Sequence, residues 1–315
     1  MSRFGLLCLA LTLTASRAIL GQTAAQTPAK IPAKTVANGA AARTAGPLRA
    51  LADGIVSGRL AVIDLTQELS PATPIIQLPP PFKNSPGFTS HEISHYDANG
   101  PAWYWNWIEV GEHVGTHFDA PCHWLSGKDK ACVDELPARD FIGPAAVIDV
   151  TAQVARTVDF VATRQTILDW EAKHGRIPKG AWVILRTGWG SRAADQKAFL
   201  NADGTGAHYP GWGKDSAEFL TTARDILGVG VEQVGTDAGV GAKAEPPFPN
   251  HSIMHGAGKF GLTQLANVSQ LPETGSVVIA TPLKIQHGSG SPVRVIAIAP
   301  ATAATAATGA KPGGK

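Results

Sequence analysis

The chain lacks most of what would place it in a membrane-spanning or nucleic-acid-binding class. Its 27 Lys and Arg are balanced by 25 Asp and Glu, giving a formal charge of +2 with no basic cluster. Neither nucleic acid nor an anionic surface is therefore an expected partner. No apolar run reaches the roughly 20 residues that a permanent bilayer-spanning helix needs. No Gly-x-Ser-x-Gly elbow is present, which disfavours a Ser-His-Asp hydrolase. Cysteine is scarce, at three in 315 residues. What remains, with 44% hydrophobic residues, is enough to bury the core of one enzyme domain.

The two ends differ from the middle. Arg3, the apolar stretch Phe4 to Leu13 and the small residues from Ala15 to Ala18 read as a secretory signal over residues 1–25, with cleavage near Ala18, Gly21 or Ala25. Residues 26–47 are rich in Ala, Thr, Pro and Lys without apolar periodicity, as in a flexible linker, and 301–315 read as a tail of the same kind. The folded domain is expected over 48–300, and the protein is expected to be exported to the periplasm or beyond. Removing the signal removes Cys8 and leaves Cys122 and Cys132. In an oxidising compartment these form either a bridge or two free thiols.

Between the ends the pattern is mixed α/β. Runs at 60–65, 145–150, 182–185, 276–280 and 293–298 are short, apolar and β-branched, and are bounded by turn residues. Thr163 to His174, closed by Gly175, reads as a helix. A second helix is expected from Asp215 with Ala217, Leu220, Ala223, Ile226 and Leu227 along it. Strands outnumber helices.

The chemistry concentrates in His113-Val114-Gly115-Thr116-His117-Phe118-Asp119-Ala120-Pro121-Cys122-His123. Read as extended from Glu109 to Asp119, this segment places His113, Gly115, His117 and Asp119 on one face. Two imidazoles and a carboxylate then converge, a ligand set suited to Zn²⁺ or Mn²⁺ with positions left open. Gly115 would leave room for the ion. His123, beyond Pro121, reads as a general acid–base, since an unperturbed imidazole titrates near a pKa of about 6.5. Outer partners for the ligand rings are expected at Glu112 and Thr116. A second His-x-x-x-His-x-Asp-Ala occurs at His91 to Ala98, but it lacks the glycine and the Pro-x-His continuation and runs into the turn Asn99-Gly100-Pro101. It is read as a polar loop or strand end.

The complete His-x-Gly-Thr-His-x-Asp-Ala-Pro-x-His pattern resembles the signature of the metal-dependent cyclase superfamily, which includes bacterial kynurenine formamidases and isatin hydrolases. The likeness extends to Ala61–Thr66, Leu185–Gly188, Gly235–Asp237 and Pro249–His251. It implies that His113, His117 and Asp119 are metal ligands and that His123 is the catalytic acid–base. It also implies a swivelling β/β/α-type fold and assembly into homodimers or homotetramers. In the binuclear members a later His and a Glu hold a second metal; these positions correspond to His251 and Thr263. Thr263 carries no charge, so a second ion is disfavoured. One divalent ion, Mn²⁺ or Zn²⁺, is expected, with His251 or Gln264 completing the site or orienting substrate. His255 is either an outer partner or a capping residue.

Trp103, Trp105 and Trp107 would share one face of a strand, with Trp124 just after the motif. They fit either core or interface packing, or, with Phe82 or Phe88, the wall of a pocket for a flat aromatic small molecule. The expected reaction is metal-assisted hydrolysis of a C–N bond in an amide, formamide, imide or lactam. Two alternatives are an exported metal- or ligand-binding protein without turnover and a cyclase or dehydratase using the same site.

Overall fold

Nine strands form one mixed sheet in the order Leu60–Asp64, Val295–Pro300, Val277–Ala280, Ile142–Asp149, Ala181–Arg186, Ile226–Val231, Phe260–Thr263, His117–Asp119 and Gly290–Pro292. The coordinates are those of a computed structural model, which describes residues 46–78 and 80–302. The expected signal segment, nearly all of the linker and most of the tail lie outside the described residues. The centre of the sheet is parallel, joining Ile142–Asp149, Ala181–Arg186, Ile226–Val231 and Phe260–Thr263. Both flanks are antiparallel.

Central parallel strands are covered on both faces, so their sequences read as nearly continuous apolar runs. Trp182, Val183, Ile184 and Leu185 are all fully buried, and alternation divides them. Trp182 and Ile184 join Val147, Phe118, Phe260 and Leu262 in one core. Val183 and Leu185 join Ile148, Ile167, Trp170, Leu220 and Met254 in the other. Helices Arg164–His174, Lys214–Ala223 and Pro249–Gly256 supply the last four of these side chains and close the second face. Each large apolar side chain so buried contributes about 1.5–3 kcal/mol.

The strands and the first helix expected from the sequence are present, with ends shifted by a few residues. Thr163 caps Arg164–His174 by accepting from the Thr166 amide, and Gly175 ends it at φ 83°. The second helix differs from expectation. Lys214–Ala223 stops at Arg224, whose backbone is extended, and Ile226 and Leu227 open a strand. Apolar residues there are buried between two parallel neighbours, and this sheet position overrides the helical spacing.

The extended reading of 109–119 is also corrected. Strand Tyr104–Glu109 ends, the chain turns, and a three-residue strand resumes at His117–Asp119. Gly115 has φ +65°, and a Cβ there would meet Leu69 Cδ1 at 3.1 Å. The glycine is needed for the left-handed turn rather than to leave room for an ion. Tyr104–Glu109 instead pairs with Thr89–His95 in a hairpin separate from the large sheet, with the whole second strand exposed. Among the described residues no helix is long and apolar enough to cross a membrane.

Gly115→Ala forces a Cβ into the left-handed region, which costs about 1–2 kcal/mol. Denaturant titration is expected to show that loss. A stability unchanged within about 0.5 kcal/mol would contradict the role given to the turn.

Candidate metal centre

Strand pairing assembles the donors. His117–Asp119 lies between Phe260–Thr263 and Gly290–Pro292, so that Gly261 and Gly290 flank Asp119 while Thr263 and Pro292 flank His117. Alternation sends Phe118 into the core and turns His117 and Asp119 to the other face. The flanking glycines leave space for the donors. A Cβ on Gly261 would stand 2.7 Å from Asp119 Oδ2, and one on Gly290 would stand 2.5 Å from His113 Cε1. The Gly115 turn then brings His113 back over the strand, with His113 Nδ1 at 2.8 Å from Asp119 Oδ1.

Ligand atoms of His113, His117 and Asp119 lie within 4.8 Å of one another, as do those of Asp119, His251 and His255. Asp119 belongs to both groups. His251 and His255 stand one turn apart on Pro249–Gly256 and so share a helix face. Asp237 fixes this helix: its Oδ1 accepts from the Asn250 amide at 2.7 Å, and its Oδ2 accepts from the His251 amide at 3.1 Å and from His251 Nδ1 at 2.5 Å.

The hydrogen bonds assign a proton to one nitrogen of each ring. His117 Nδ1 donates to the Gly115 carbonyl at 2.7 Å and His255 Nδ1 to the Lys259 carbonyl at 3.0 Å. His251 Nδ1 donates to Asp237, as above. The Ser289 hydroxyl donates to Glu112 Oε2 at 2.6 Å, so it accepts from His113 Nε2 at 2.9 Å. The second nitrogen of each ring faces the site: Nδ1 of His113, 2.8 Å from Asp119 Oδ1, and Nε2 of His117, His251 and His255; those of His113 and His117 would give up a proton shared with Asp119 on binding an ion. Outer groups that hold a ring by its second nitrogen in this way are typical of metal-binding histidines. Asp119 Oδ2 and His255 Nε2 are buried without a hydrogen-bond partner among the described residues. Unpartnered lone pairs around a buried carboxylate suit a divalent cation.

The electrostatics agree with this arrangement. Burial opposes ionisation of Asp119, but the charge of His117 and hydrogen bonds from His113 and His117 outweigh it and hold the carboxyl well below its ordinary range. Burial, reinforced by His113, His251 and His255, pushes His123 well below the usual imidazole value. His255 is pushed down to about 4, first by burial and then by His251. On His251 burial is overcome by Asp237, which raises its pKa. No side-chain hydrogen bond among the described residues engages His123, whose ring lies tilted against that of His113 with centroids 3.9 Å apart.

The site residues anticipated from the sequence are placed unevenly. His113, His117, Asp119, His123 and His251 come together, and His255 joins them. Gln264 Nε2 donates to the Pro74 carbonyl at 3.2 Å, while Gln264 Oε1 is buried without a partner. The Thr263 hydroxyl lies 2.9 and 3.0 Å from the two nitrogens of His117. Glu112 reaches His113 through Ser289. Thr116 does not hold a ring; it donates to the Gln264 carbonyl at 2.6 Å and accepts from the Gln67 amide at 2.8 Å, bracing two loops. Trp124 lies against His251 at 4.9 Å and edge-on to Phe248 at 5.9 Å. Trp105 and Trp107 are exposed on the hairpin, Phe82 is exposed, and Phe88 is half-buried. His91 and His95 pair with Glu109 and Glu92 on the same hairpin.

Sequence reasoning missed Ser289 and Phe248. Neither sits in a pattern that marks it. Asp237 lay in a segment carrying the family resemblance, but its role depends on a contact with a helix that begins twelve residues later.

Ser289→Ala removes the group that holds His113 Nε2. Metal affinity is expected to fall about 10–100-fold with the fold retained, as for other outer partners of ligand histidines. Isothermal titration with Mn²⁺ or Zn²⁺ checks this, and an unchanged affinity would contradict the orientation given to His113. His117→Ala and Asp119→Ala are expected to lose the ion outright, as read by elemental analysis.

The "Putative cyclase" family model matches residues 63–238. An isatin hydrolase from Roseibium aggregatum is 48% identical over 256 residues, covering 80% of this chain and 97% of that protein. The crystal structure of an isatin hydrolase bound to the product analogue thioisatinate superposes with a TM-score of 0.79 at 47% identity, covering 81% of this chain and 98% of that one. A kynurenine formamidase from Delftia acidovorans is 25% identical, covering 74% of this chain and 98% of that protein. By the match of its sequence and of its fold, this chain belongs to the cyclase family.

Proposed function

We propose that the chain is a metal-dependent hydrolase that opens the C–N bond of a cyclic amide of the isatin type, using one divalent ion, Mn²⁺ or Zn²⁺. The catalytic part rests on His123, an imidazole held well below its usual pKa by burial, lying against a candidate ligand with no side-chain hydrogen bond among the described residues. A site that only binds has no use for such a group. The substrate class is supported by the similarity to isatin hydrolase over most of the chain.

His113, His117 and Asp119 would hold the ion. Bound there, it would supply Lewis acidity toward the scissile carbonyl and the attacking water. His123 takes a proton from that water at a ring nitrogen as its oxygen adds to the carbonyl carbon. The C–N bond then breaks, and His123 returns the proton to the leaving nitrogen. Trp124, against His251 and Phe248, offers a flat wall for a fused aromatic ring. A single ion follows from charge. Asp119 is the one carboxylate shared by both donor groups, and Thr263 adds none, so a second divalent ion would face two neutral imidazoles and half of a shared anion.

Export belongs to the same proposal. It is supported by the signal pattern of residues 1–25 and by the Cys122–Cys132 disulfide, since such bonds persist mainly in oxidising compartments. Self-association into dimers or tetramers would cover Trp103, Trp105, Trp107 and Ile108, all exposed on the hairpin.

Turnover of isatin, followed by loss of its absorbance, tests the reading alongside N-formylkynurenine as the acyclic comparison. Ring opening with gain of one water is expected. His123→Ala should keep the ion and lose about 10²–10⁴-fold in kcat, the usual contribution of a general acid–base. Full activity in that variant, or turnover of N-formylkynurenine alone, would overturn the assignment.

A further inference from the structure

Two side chains assigned to the proposed chemistry outside the donor groups, His123 and Trp124, follow directly on a half-buried cysteine that is bridged. Cys122 is joined to Cys132, ten positions on, and the residues between them form a small loop with a Cα–Cα span of 5.2 Å at its neck. Inside the loop, backbone turns run from His123 N to the Ala120 carbonyl at 3.0 Å, from Gly127 N to that of Trp124 at 2.9 Å and from Lys130 N to that of Gly127 at 2.8 Å, but the His123 side chain makes no hydrogen bond among the described residues. The backbone bonds from Cys122 to Ala131, from Trp124 to Pro121 and from Lys128 to Leu125 are all 3.4 Å long, near the limit for such bonds.

Outside the loop, the contacts lead to both walls of the site. Ser126 Oγ donates to the Ser252 carbonyl at 2.6 Å, on the helix that carries His251 and His255. Gly127 lies so close to that helix that a Cβ would stand 2.8 Å from the His255 carbonyl and 2.1 Å from that of Pro121. On the other side, Val133 N donates to the Gly288 carbonyl at 3.0 Å, next to Ser289, which orients His113. Cys132 N donates to Glu135 Oε2 at 3.0 Å. The Cys132 end is thus anchored by ordinary hydrogen bonds, and the bridge passes that anchorage to the residue before His123.

We propose that the Cys122–Cys132 bridge is the positioning element for His123 and Trp124, so that the oxidised protein is the fully active form and reduction lowers turnover without releasing the metal. The reductant is a dithiol. Its thiolate attacks one sulfur, giving a mixed disulfide and a cysteine thiolate; its second thiol then displaces the other cysteine and leaves as a cyclic disulfide. Two electrons and two protons end on Cys122 and Cys132. Both sulfurs belong to half-buried residues rather than the core, so such exchange has access. None of the assigned metal-site side chains takes part, which separates this effect from loss of the ion.

The proposal rests on the hydrolase reading above, and the test separates the two. Oxidised protein, protein reduced in place with a dithiol that is then removed and its thiols counted, and C122S/C132S are compared for isatin kcat and KM, metal content, circular dichroism and amide hydrogen exchange. The expected result is a kcat at least about 10-fold lower in the reduced and Ser-substituted forms, the range a displaced acid–base gives. Metal content and circular dichroism stay unchanged, exchange rises within 121–133 alone, and reoxidation restores only the wild type. Reduced wild type with both thiols free, kcat within about two-fold of the oxidised form and unchanged exchange would overturn the proposal. If C122S/C132S fails to fold, the reduction in place decides. Inactivity of the oxidised protein would overturn the hydrolase reading instead, and the exchange within 121–133 would still decide whether the bridge holds the segment.

Discussion

A carboxylate taken out of water needs compensating charge, and Asp119 is 1% exposed on a strand between two glycines. Much of the surrounding structure can be understood as meeting that need. His113 and His117 face its oxygens, and its second oxygen is unpartnered among the described residues. Its pKa is held down by the rings beside it rather than by any Lys or Arg. A buried anion with one unpartnered oxygen, beside imidazole nitrogens that can give up their protons, is poorly satisfied by protein alone. A divalent cation completes it.

The fold supplies the geometry in layers. Parallel strands buried on both faces fix a rigid sheet, and the short antiparallel strand His117–Asp119 is added at its rim, where one face is core and the other is the site. The second wall arrives by a different route. Asp237 binds two amides at the start of Pro249–Gly256 and holds His251 with the same carboxylate, so the helix and its histidine are set together. Ser289 does the equivalent for His113 from the bend just before Gly290–Pro292. Neither wall depends on loop residues alone, which is what precise placement of catalytic groups requires.

The sequence made legible the features that arise from local chemistry. The motif from His113 to His123 carries its donors within eleven residues, and the apolar runs of the central strands are long enough to read. Ile226 and Leu227 were misread because their spacing continues a real helix, and only the strand pairing that begins at Ile226 with Ala181 decides their state. The convergence of His113, His117 and Asp119 was anticipated for the wrong reason: the face came from a left-handed turn at Gly115, not from one long strand. Ser289 and Asp237 owe their roles to contacts between distant segments, for which local spacing has no signal, whereas His255 was marked by its four-residue spacing from His251. The pairing of Cys122 with Cys132 was left open between bridge and thiols, and the structure joins them.

The account turns on where the ion sits. The most direct measurement is a crystal structure of the purified protein with anomalous diffraction collected at the metal's absorption edge. The account predicts one strong peak bounded by His113 Nδ1, His117 Nε2 and the Asp119 carboxylate, with His123 beside it but outside bonding distance. A peak ligated by His123, or one centred on the exposed His91 and His95, would contradict it.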